Sequence, residues 1–262
     1  MDGAGGEAPR FDYDRGTIAG IYSAARTLDA AADAAIGDHL RAVLAGRPVR
    51  MAADVGCGTG RFTQLIRRAT GASVVGVDRS ARMLAQAAAD HALAGARWVR
   101  ATAEALPLRP RSLDLVFVWL VYHHLERGPA AVREWARVLG PGGALVIGQS
   151  TLEILDRIPW MPFFPSARAV DAARMPARGA LMDAAARAGL APASVETLAF
   201  SNAPDWPSYA ERLGRRGISS LQLIGDAEFS AGLGAFRAWC AAQPVDEPAR
   251  TELDFFVFTA PA

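Results

Sequence analysis

The stretch that most constrains this chain is residues 51–63, MAADVGCGTGRFT. It reads as a short apolar strand, a glycine turn and the beginning of a helix. The alternate glycines Gly56, Gly58 and Gly60 lack the Cβ atoms that would hold a ligand away from backbone N–H groups. This pattern predicts an open α/β sheet that binds a ligand beyond the carboxyl end of its first strand, where Asp54 also lies.

The turn differs from the dinucleotide-binding fingerprint G-x-G-x-x-G, because Arg61 stands where its third glycine would fall. With the acidic residue before it, the turn resembles motif I of the class I S-adenosylmethionine (SAM) methyltransferases. The resemblance implies that the turn lies against the amino-acid part of SAM. Cys57, inside the turn, is interpreted as a packing residue. The cofactor contacts implied for this motif are Asp54, Gly56, Cys57, Gly58 and Gly60.

A second match follows at the next predicted strand, residues 72–77, which ends at Asp78. In similar methyltransferases an acidic residue here accepts hydrogen bonds from both ribose hydroxyls. The sequence D-R-S-A-R-M-L resembles the family's D-x-S-x-x-M-L, in which the methionine packs on the adenine. It places Arg79 and Met83 at the cofactor, while Ser80 is predicted to cap the helix.

Three further matches occur in order. The segment of Ala103, Glu104 and Ala105 resembles G-x-A-E-x-L-P, which implies contact with the adenine amine. Residues 112–125 resemble S-F-D-x-V followed by H-H, which places Trp119 and Leu120 beside the sulfonium. The turn L-G-P-G-G before a fifth apolar strand is also recurrent in this family.

An alanine-rich helical segment precedes the glycine turn and carries Tyr22 and Arg26, which share one helix face. In similar methyltransferases such a pair closes over SAM, with the arginine at its carboxylate. A solvated arginine beside a core tyrosine is the alternative.

Residues 151–262 are less regular. The segment 158–165 is rich in proline and aromatic residues, and we expect it to be exposed and neither a regular helix nor a central strand. A helix is predicted over 178–189, and strands over 192–200 and 253–259. The aromatic residues of this part form either the walls of an acceptor site or a small core of their own; they are Trp160, Phe163, Phe164, Trp206 and Tyr209.

The predicted fold is therefore an α/β, Rossmann-like sheet of seven mostly parallel strands with helices on both faces. The family resemblance implies that the last strand is antiparallel and lies between strands five and six. We expect a single domain over residues 1–262, with cap helices, a SAM-binding core and a substrate lid. These parts are assigned to residues 17–45, 46–150, and 151–177 with 201–245.

Composition excludes several classes of protein. The formal charge of +1 gives no reason to expect nucleic acid, and the apolar run 115–122 is too short to span a membrane. All 28 basic residues are arginine, so a Schiff-base or P-loop lysine is excluded.

Cys57 and Cys240 form no metal-binding cluster, so no metal is expected. The acidic N-terminus is not a signal peptide, and we expect a cytoplasmic protein. The oligomeric state is open.

These features predict SAM-dependent methyl transfer to the O, N or C atom of a small organic molecule, in quinone or secondary metabolism. His123 and His124 follow the fourth strand and either supply a base or shape the site. The rivals are an NAD(P)-dependent oxidoreductase and a non-catalytic SAM-binding protein. A nucleic-acid methyltransferase is disfavoured because W-L-V-Y stands where an N-P-P-Y-type motif would follow the fourth strand.

Overall fold

The computed structural model describes residues 30–244 and 247–262. Tyr22 and Arg26 lie outside the described residues, so their predicted contact with SAM stays a prediction. The strands are β1 (Met51–Val55), β2 (Ser73–Asp78), β3 (Arg97–Arg100), β4 (Leu113–Trp119), β5 (Leu139–Gln149), β6 (Ala191–Ala203) and β7 (Ala249–Thr259). The helices are α1 (Ala30–Val43), α2 (Arg61–Thr70), α3 (Ala81–Ala89), α4 (Gly128–Val138), α5 (Pro165–Arg174), α6 (Arg178–Arg187), α7 (Trp206–Gly214), α8 (Ser219–Gln222) and α9 (Asp226–Ala241).

The strands form one sheet in the order β3-β2-β1-β4-β5-β7-β6. Strands β1 to β5 are parallel, and β7 runs antiparallel to both of its neighbours. The predicted seven-stranded fold, with its antiparallel last strand between the fifth and sixth, is confirmed. The strand order reverses between β1 and β4, and a crevice opens beyond the carboxyl ends of strands at such a point.

Helices cover both faces of the sheet, as predicted. On one face α4 and α6 pack over a core that includes Trp135 and Phe256. On the other face α1 and α2 cover Phe117 and Phe255. Neighbouring residues of β7 enter opposite cores because successive side chains of a strand alternate between its faces. In the two described ranges, no helix is both long and apolar enough to cross a membrane.

A third core lies outside the sheet and joins residues 155–167 to α7, α8 and α9. The expectation that 158–165 is exposed is wrong, since Trp160 and Phe164 are 4% and 0% exposed. As its prolines predicted, the segment contains no strand and no α-helix before α5 begins at Pro165; it contains one short 3₁₀ helix, Met161–Phe163. It is buried because α9 presents Gly232, where a Cβ would stand 2.7 Å from the Phe164 ring.

Candidate active site

The glycine turn folds back onto the end of β2. Gly56, Gly58 and Gly60 have φ values of 73°, 55° and 86°, in the left-handed region that favours glycine. The N–H groups of Gly56 and Cys57 both donate to the carbonyl of Val77, at 2.7 and 3.1 Å. The alternating glycines in the sequence are thus a backbone requirement of this turn.

Asp78 is fixed at the carboxyl end of β2 by two backbone donors. Its Oδ2 accepts a hydrogen bond from the N–H of Gly58, and its Oδ1 accepts one from the N–H of Ser80, both at 2.8 Å. Ser80 caps α3 as predicted, through the N–H of Met83 at 3.1 Å. A carboxylate has about four acceptor sites, which is the chemistry that the hydroxyls of a ligand require.

Asp54 lies beneath the turn and does not line the crevice. It is 1% exposed and accepts a hydrogen bond from the Thr63 hydroxyl on α2 at 2.7 Å. Burial raises the pKa of this carboxyl to about 7, although the hydrogen bond from Thr63 acts in the opposite direction. The structure therefore places Asp54 in support of the turn.

Cys57 and Gly60 are also buried beneath the turn. Burial raises the pKa of the Cys57 thiol, as expected of a packing residue. A Cβ on Gly60 would stand 2.5 Å from Leu93 and 2.8 Å from Trp98. These two positions serve close packing under the turn, and their predicted cofactor contacts remain untested.

A cavity of about 510 Å³, called here the cofactor cavity, opens beyond the carboxyl ends of β1, β2 and β4. It brings together most of the residues predicted to bind SAM, while Ala105 is exposed outside it. The predicted residues that line it are Gly56, Gly58, Asp78, Arg79, Met83, Ala103, Glu104, Trp119, Leu120, His123 and His124. Its volume lies within the range of small-molecule sites. The backbone approach at the glycines, the Asp78 acceptor and the apolar Met83 fit the amino acid, ribose and adenine of SAM.

A second cavity of about 170 Å³, called here the lid cavity, adjoins the first. The residues that line both are Trp119, Leu120, His123 and Arg174. Trp160 and Tyr209 line the lid cavity and also belong to the third core. Phe163, Phe164 and Trp206 contribute to that core without lining either cavity.

The boundary between the cavities depends on a close approach of β4 to β5. Trp119 pairs in register with Gly148, and a Cβ on Gly148 would stand 2.3 Å from the indole ring. The next residue, Leu120, has φ of 54°, a left-handed conformation that costs a non-glycine residue about 1 kcal/mol. Its N–H donates to the carbonyl of Gly148 at 2.8 Å, which holds the chain in this sharp exit from the strand.

His123 is oriented by Gln149 at the end of β5. The Gln149 amide nitrogen lies 2.9 Å from the Ser150 carbonyl and 3.0 Å from His123 Nδ1. A carbonyl can only accept, so the amide nitrogen faces Ser150 and its second hydrogen points to Nδ1. The Gln149 carbonyl oxygen lies farther from Nδ1, at 3.4 Å, so this arrangement favours the neutral tautomer with its proton on Nε2. The ring of His124 lies 4.0 Å from that of His123.

The sequence analysis missed Gln149, which orients His123, as well as Ser150 and Arg174, which line these cavities. The first two are polar residues directly after the apolar part of β5, at the ligand-binding edge of the sheet. That position was the one available signal. Arg174 ends a helix in a segment where no motif marks it.

The comparisons with known proteins agree with this geometry. Residues 53–147 match the family described as a methyltransferase domain. The chain is 31% identical over 216 residues to 27-O-demethylrifamycin SV methyltransferase of Amycolatopsis mediterranei, covering 77% of this chain and 76% of that protein. It is 39% identical over 146 residues to the biotin biosynthesis bifunctional protein BioHC of Cellvibrio japonicus. That match covers 54% of this chain but spans only 28% of BioHC.

Among solved structures, geranyl diphosphate methyltransferase in complex with SAM superposes with a TM-score of 0.54 at 16% identity. The superposition covers 86% of this chain and 84% of that one, and at this identity it shows a shared fold. The match to the rifamycin methyltransferase shows the family as well, because it extends over most of both chains. The chain belongs to the class I SAM-dependent methyltransferases.

Proposed function

We propose that this protein transfers a methyl group from SAM to a small organic molecule held in the lid cavity. The observation that carries the proposal is the placement of Asp78. Its carboxylate is fixed by the N–H groups of Gly58 and Ser80 at the edge of a cavity of about 510 Å³. That cavity shares four lining residues with a second one, so two ligands can meet at a common boundary.

Different residues of the cofactor cavity bind different parts of SAM. Asp78 accepts hydrogen bonds from the ribose hydroxyls, and Met83 packs on the adenine. Glu104 accepts a hydrogen bond from the adenine amine, and the backbone at Gly56 and Gly58 contacts the amino-acid part. SAM supplies a methyl group that its sulfonium already activates.

The main contributions of the protein to the reaction are alignment of the acceptor and exclusion of water. The methyl–sulfur bond breaks as the bond from the methyl carbon to the acceptor forms. An O–H or N–H acceptor also loses a proton. The contact with Gln149 favours a proton on Nε2 of His123, and in that tautomer His123 donates a hydrogen bond to the acceptor. His124 is then the member of the pair that can take the proton.

A small-molecule acceptor is favoured over a nucleic acid. The chain has a formal charge of +1, so it has no excess of basic residues to bind phosphates. The relative named for methylation of 27-O-demethylrifamycin SV supports the same class of acceptor. A cytoplasmic location and an acceptor from quinone or secondary metabolism are parts of the proposal. A non-catalytic SAM-binding protein is the second candidate, since the same cofactor cavity would serve it.

Calorimetric titration with S-adenosylhomocysteine, with NADH as the comparator, tests the cofactor site. We expect micromolar binding of S-adenosylhomocysteine and about 100-fold weaker binding by an Asp78→Ala variant, which loses hydrogen bonds to a charged group and the anchor of the turn. Asp114→Ala is the matched control. Its carboxylate also accepts from two backbone N–H groups, those of Arg50 and Met51, but lies away from both cavities.

Tighter binding of NADH, no binding of S-adenosylhomocysteine, or equal losses in the two variants would contradict the proposed site. Once binding is established, transfer of labelled methyl from SAM to an acceptor separates a methyltransferase from a non-catalytic SAM-binding protein.

A further inference from the structure

Two polar side chains of the lid cavity have hydrogen-bonding capacity that no other described residue uses. Ser150 follows β5 directly, lines the lid cavity and is 3% exposed. Its hydroxyl is buried and has no hydrogen-bond partner among the described residues. A buried hydroxyl without a hydrogen-bond partner destabilises a folded protein. Its presence in a residue that lines a cavity therefore indicates that a bound ligand supplies the partner.

The second group is the guanidinium of Arg174, at the end of α5. Its Nε and Nη2 bind Oδ1 of Asp171 at 2.9 and 2.6 Å, and Nη2 also donates to the Ser219 hydroxyl at 2.7 Å. The other oxygen of Asp171 accepts from Ser220 at 2.9 Å. Within the described ranges, Nη1 makes no hydrogen bond. Arg174 is therefore held rigidly while one of its donor nitrogens remains available.

The segments that carry these two groups lie side by side. The amide nitrogen of Gln149 donates to the Ser150 carbonyl and lies 3.4 Å from the sulfur of Met175, the residue after Arg174. The N–H of Leu152 donates to the carbonyl of Pro176 at 3.1 Å. The hydroxyl and the guanidinium thus belong to one end of the lid cavity, next to its boundary with the cofactor cavity.

The charges around the lid cavity favour an anion. Its lining includes the arginines Arg61, Arg174 and Arg212 and the carboxylates of Asp171 and Glu252. Both carboxylates are bound within the protein, Asp171 by Arg174 and Glu252 by Arg157 at 3.1 Å. The lining thus carries an excess of positive charge, and both of its negative charges are already paired.

We propose that the acceptor carries a carboxylate bound by Arg174 Nη1 and Ser150 Oγ, and that its aromatic or other apolar body packs against Trp160 and Tyr209. This inference rests on the proposed methyl transfer. The carboxylate is an anchor and is not itself methylated. An anion that attacks a sulfonium loses charge in the transition state, so pairing it with an arginine would stabilise the ground state more and slow the transfer.

The experiment is a binding assay on the full chain saturated with S-adenosylhomocysteine. The probes are benzoate, 4-hydroxybenzoate and cinnamate, each compared with its primary amide, which has nearly the same shape without the charge. We expect at least one acid to bind, and its amide to bind about tenfold more weakly or worse, as the loss of a hydrogen bond to a charged group predicts.

Two variants assign the binding to these side chains. Ser150→Ala should weaken binding of the acid about tenfold and leave the affinity for S-adenosylhomocysteine unchanged. It should not lower the thermal unfolding midpoint, because the hydroxyl bonds to no described residue. Arg174→Lys keeps a cation beside Asp171 but removes the free nitrogen, and should weaken the acid similarly. Arg168→Lys is the matched control, since Arg168 lies on α5 but pairs with Asp156 outside both cavities.

Equal binding of acids and amides, no binding of any acid, or unchanged acid binding in both variants would overturn the inference. A product in which the anchoring carboxylate has become a methyl ester would overturn it as well. Ser150→Ala keeps the test informative if Arg174→Lys does not fold. Failure of S-adenosylhomocysteine to bind at all would instead count against the proposed function.

Discussion

Replacement of the buried carboxylate under the glycine turn tests the electrostatic picture of the site. Burial raises the pKa of Asp54 from its ordinary 3.8 to about 7, so the folded protein holds its proton more tightly than the unfolded chain does. Below about pH 4 the carboxyl is protonated in both states, and its contribution to stability is fully present. That contribution is lost as the pH rises towards 7, because the unfolded chain can ionise more readily.

The magnitude follows from the two pKa values. One pKa unit corresponds to about 1.4 kcal/mol, so the rise from 3.8 to about 7 corresponds to roughly 4 kcal/mol in total. About 2.5 kcal/mol of this loss falls between pH 5 and pH 8. An Asp54→Asn variant cannot ionise there, so its free energy of unfolding should rise relative to the wild type by that amount across the interval. The asparagine N–H₂ needs its own acceptor, which costs about 1 kcal/mol at every pH.

Guanidinium chloride unfolding at several pH values between 5 and 8 measures this slope, and equal m values in the two proteins would validate the comparison. Asp183→Asn is the control, because Asp183 is exposed on α6 and its replacement should leave the wild-type slope unchanged. A constant difference between Asp54→Asn and the wild type over the whole range would refute the assignment of a buried, protonatable carboxyl to this position.

Two further predictions concern other polar contacts. Arg178 binds both oxygens of the fully buried Asp254, at 2.6 and 2.7 Å, so Arg178→Met should lower the free energy of unfolding in urea by about 3 kcal/mol. The control, Arg187→Met on the same helix, should change that free energy by less than about 0.5 kcal/mol. Equal effects of the two substitutions would contradict the prediction. In long-range ¹H–¹⁵N spectra at neutral pH, neutral His123 should carry its proton on Nε2. In the Gln149→Leu variant, the tautomer with the proton on Nδ1 should become populated as well. A wild-type spectrum with the proton on Nδ1 would show that the Gln149 amide is turned the other way.

The central part of the fold could be predicted from the sequence because its signals are local. The glycine turn needs left-handed backbone at alternate positions, and Gly56, Gly58 and Gly60 meet that need within five residues. Likewise Ser80 caps its helix through a residue three positions away. The buried parallel strands are recognisable as continuous apolar runs, since both faces of such a sheet are covered.

Local sequence patterns did not reveal which segments are buried by contacts with distant parts of the chain. The prolines of 158–165 correctly exclude a strand, and an α-helix before Pro165, yet they say nothing about burial, which was wrongly predicted. The stretch is buried because Gly232, far along the chain, lets the Phe164 ring approach α9 closely. Asp54 could be placed at the end of a strand from its neighbours, but its position beneath the turn depends on the fold of α2, which brings the Thr63 hydroxyl to it.

The sequence by itself determined the sheet and the glycine turn, because both rest on contacts between near neighbours or on strand periodicity. The family resemblance indicated many, but not all, of the residues that line the cofactor cavity. Only the tertiary structure decided the lid cavity and the contacts at its boundary. Gln149 contacts His123, and Ser150 and Arg174 line one cavity, although these residues lie on separate elements. Ser150 and Arg174 share a cavity only once α5 has packed near the end of β5, and no periodicity in the chain records where that packing brings side chains together.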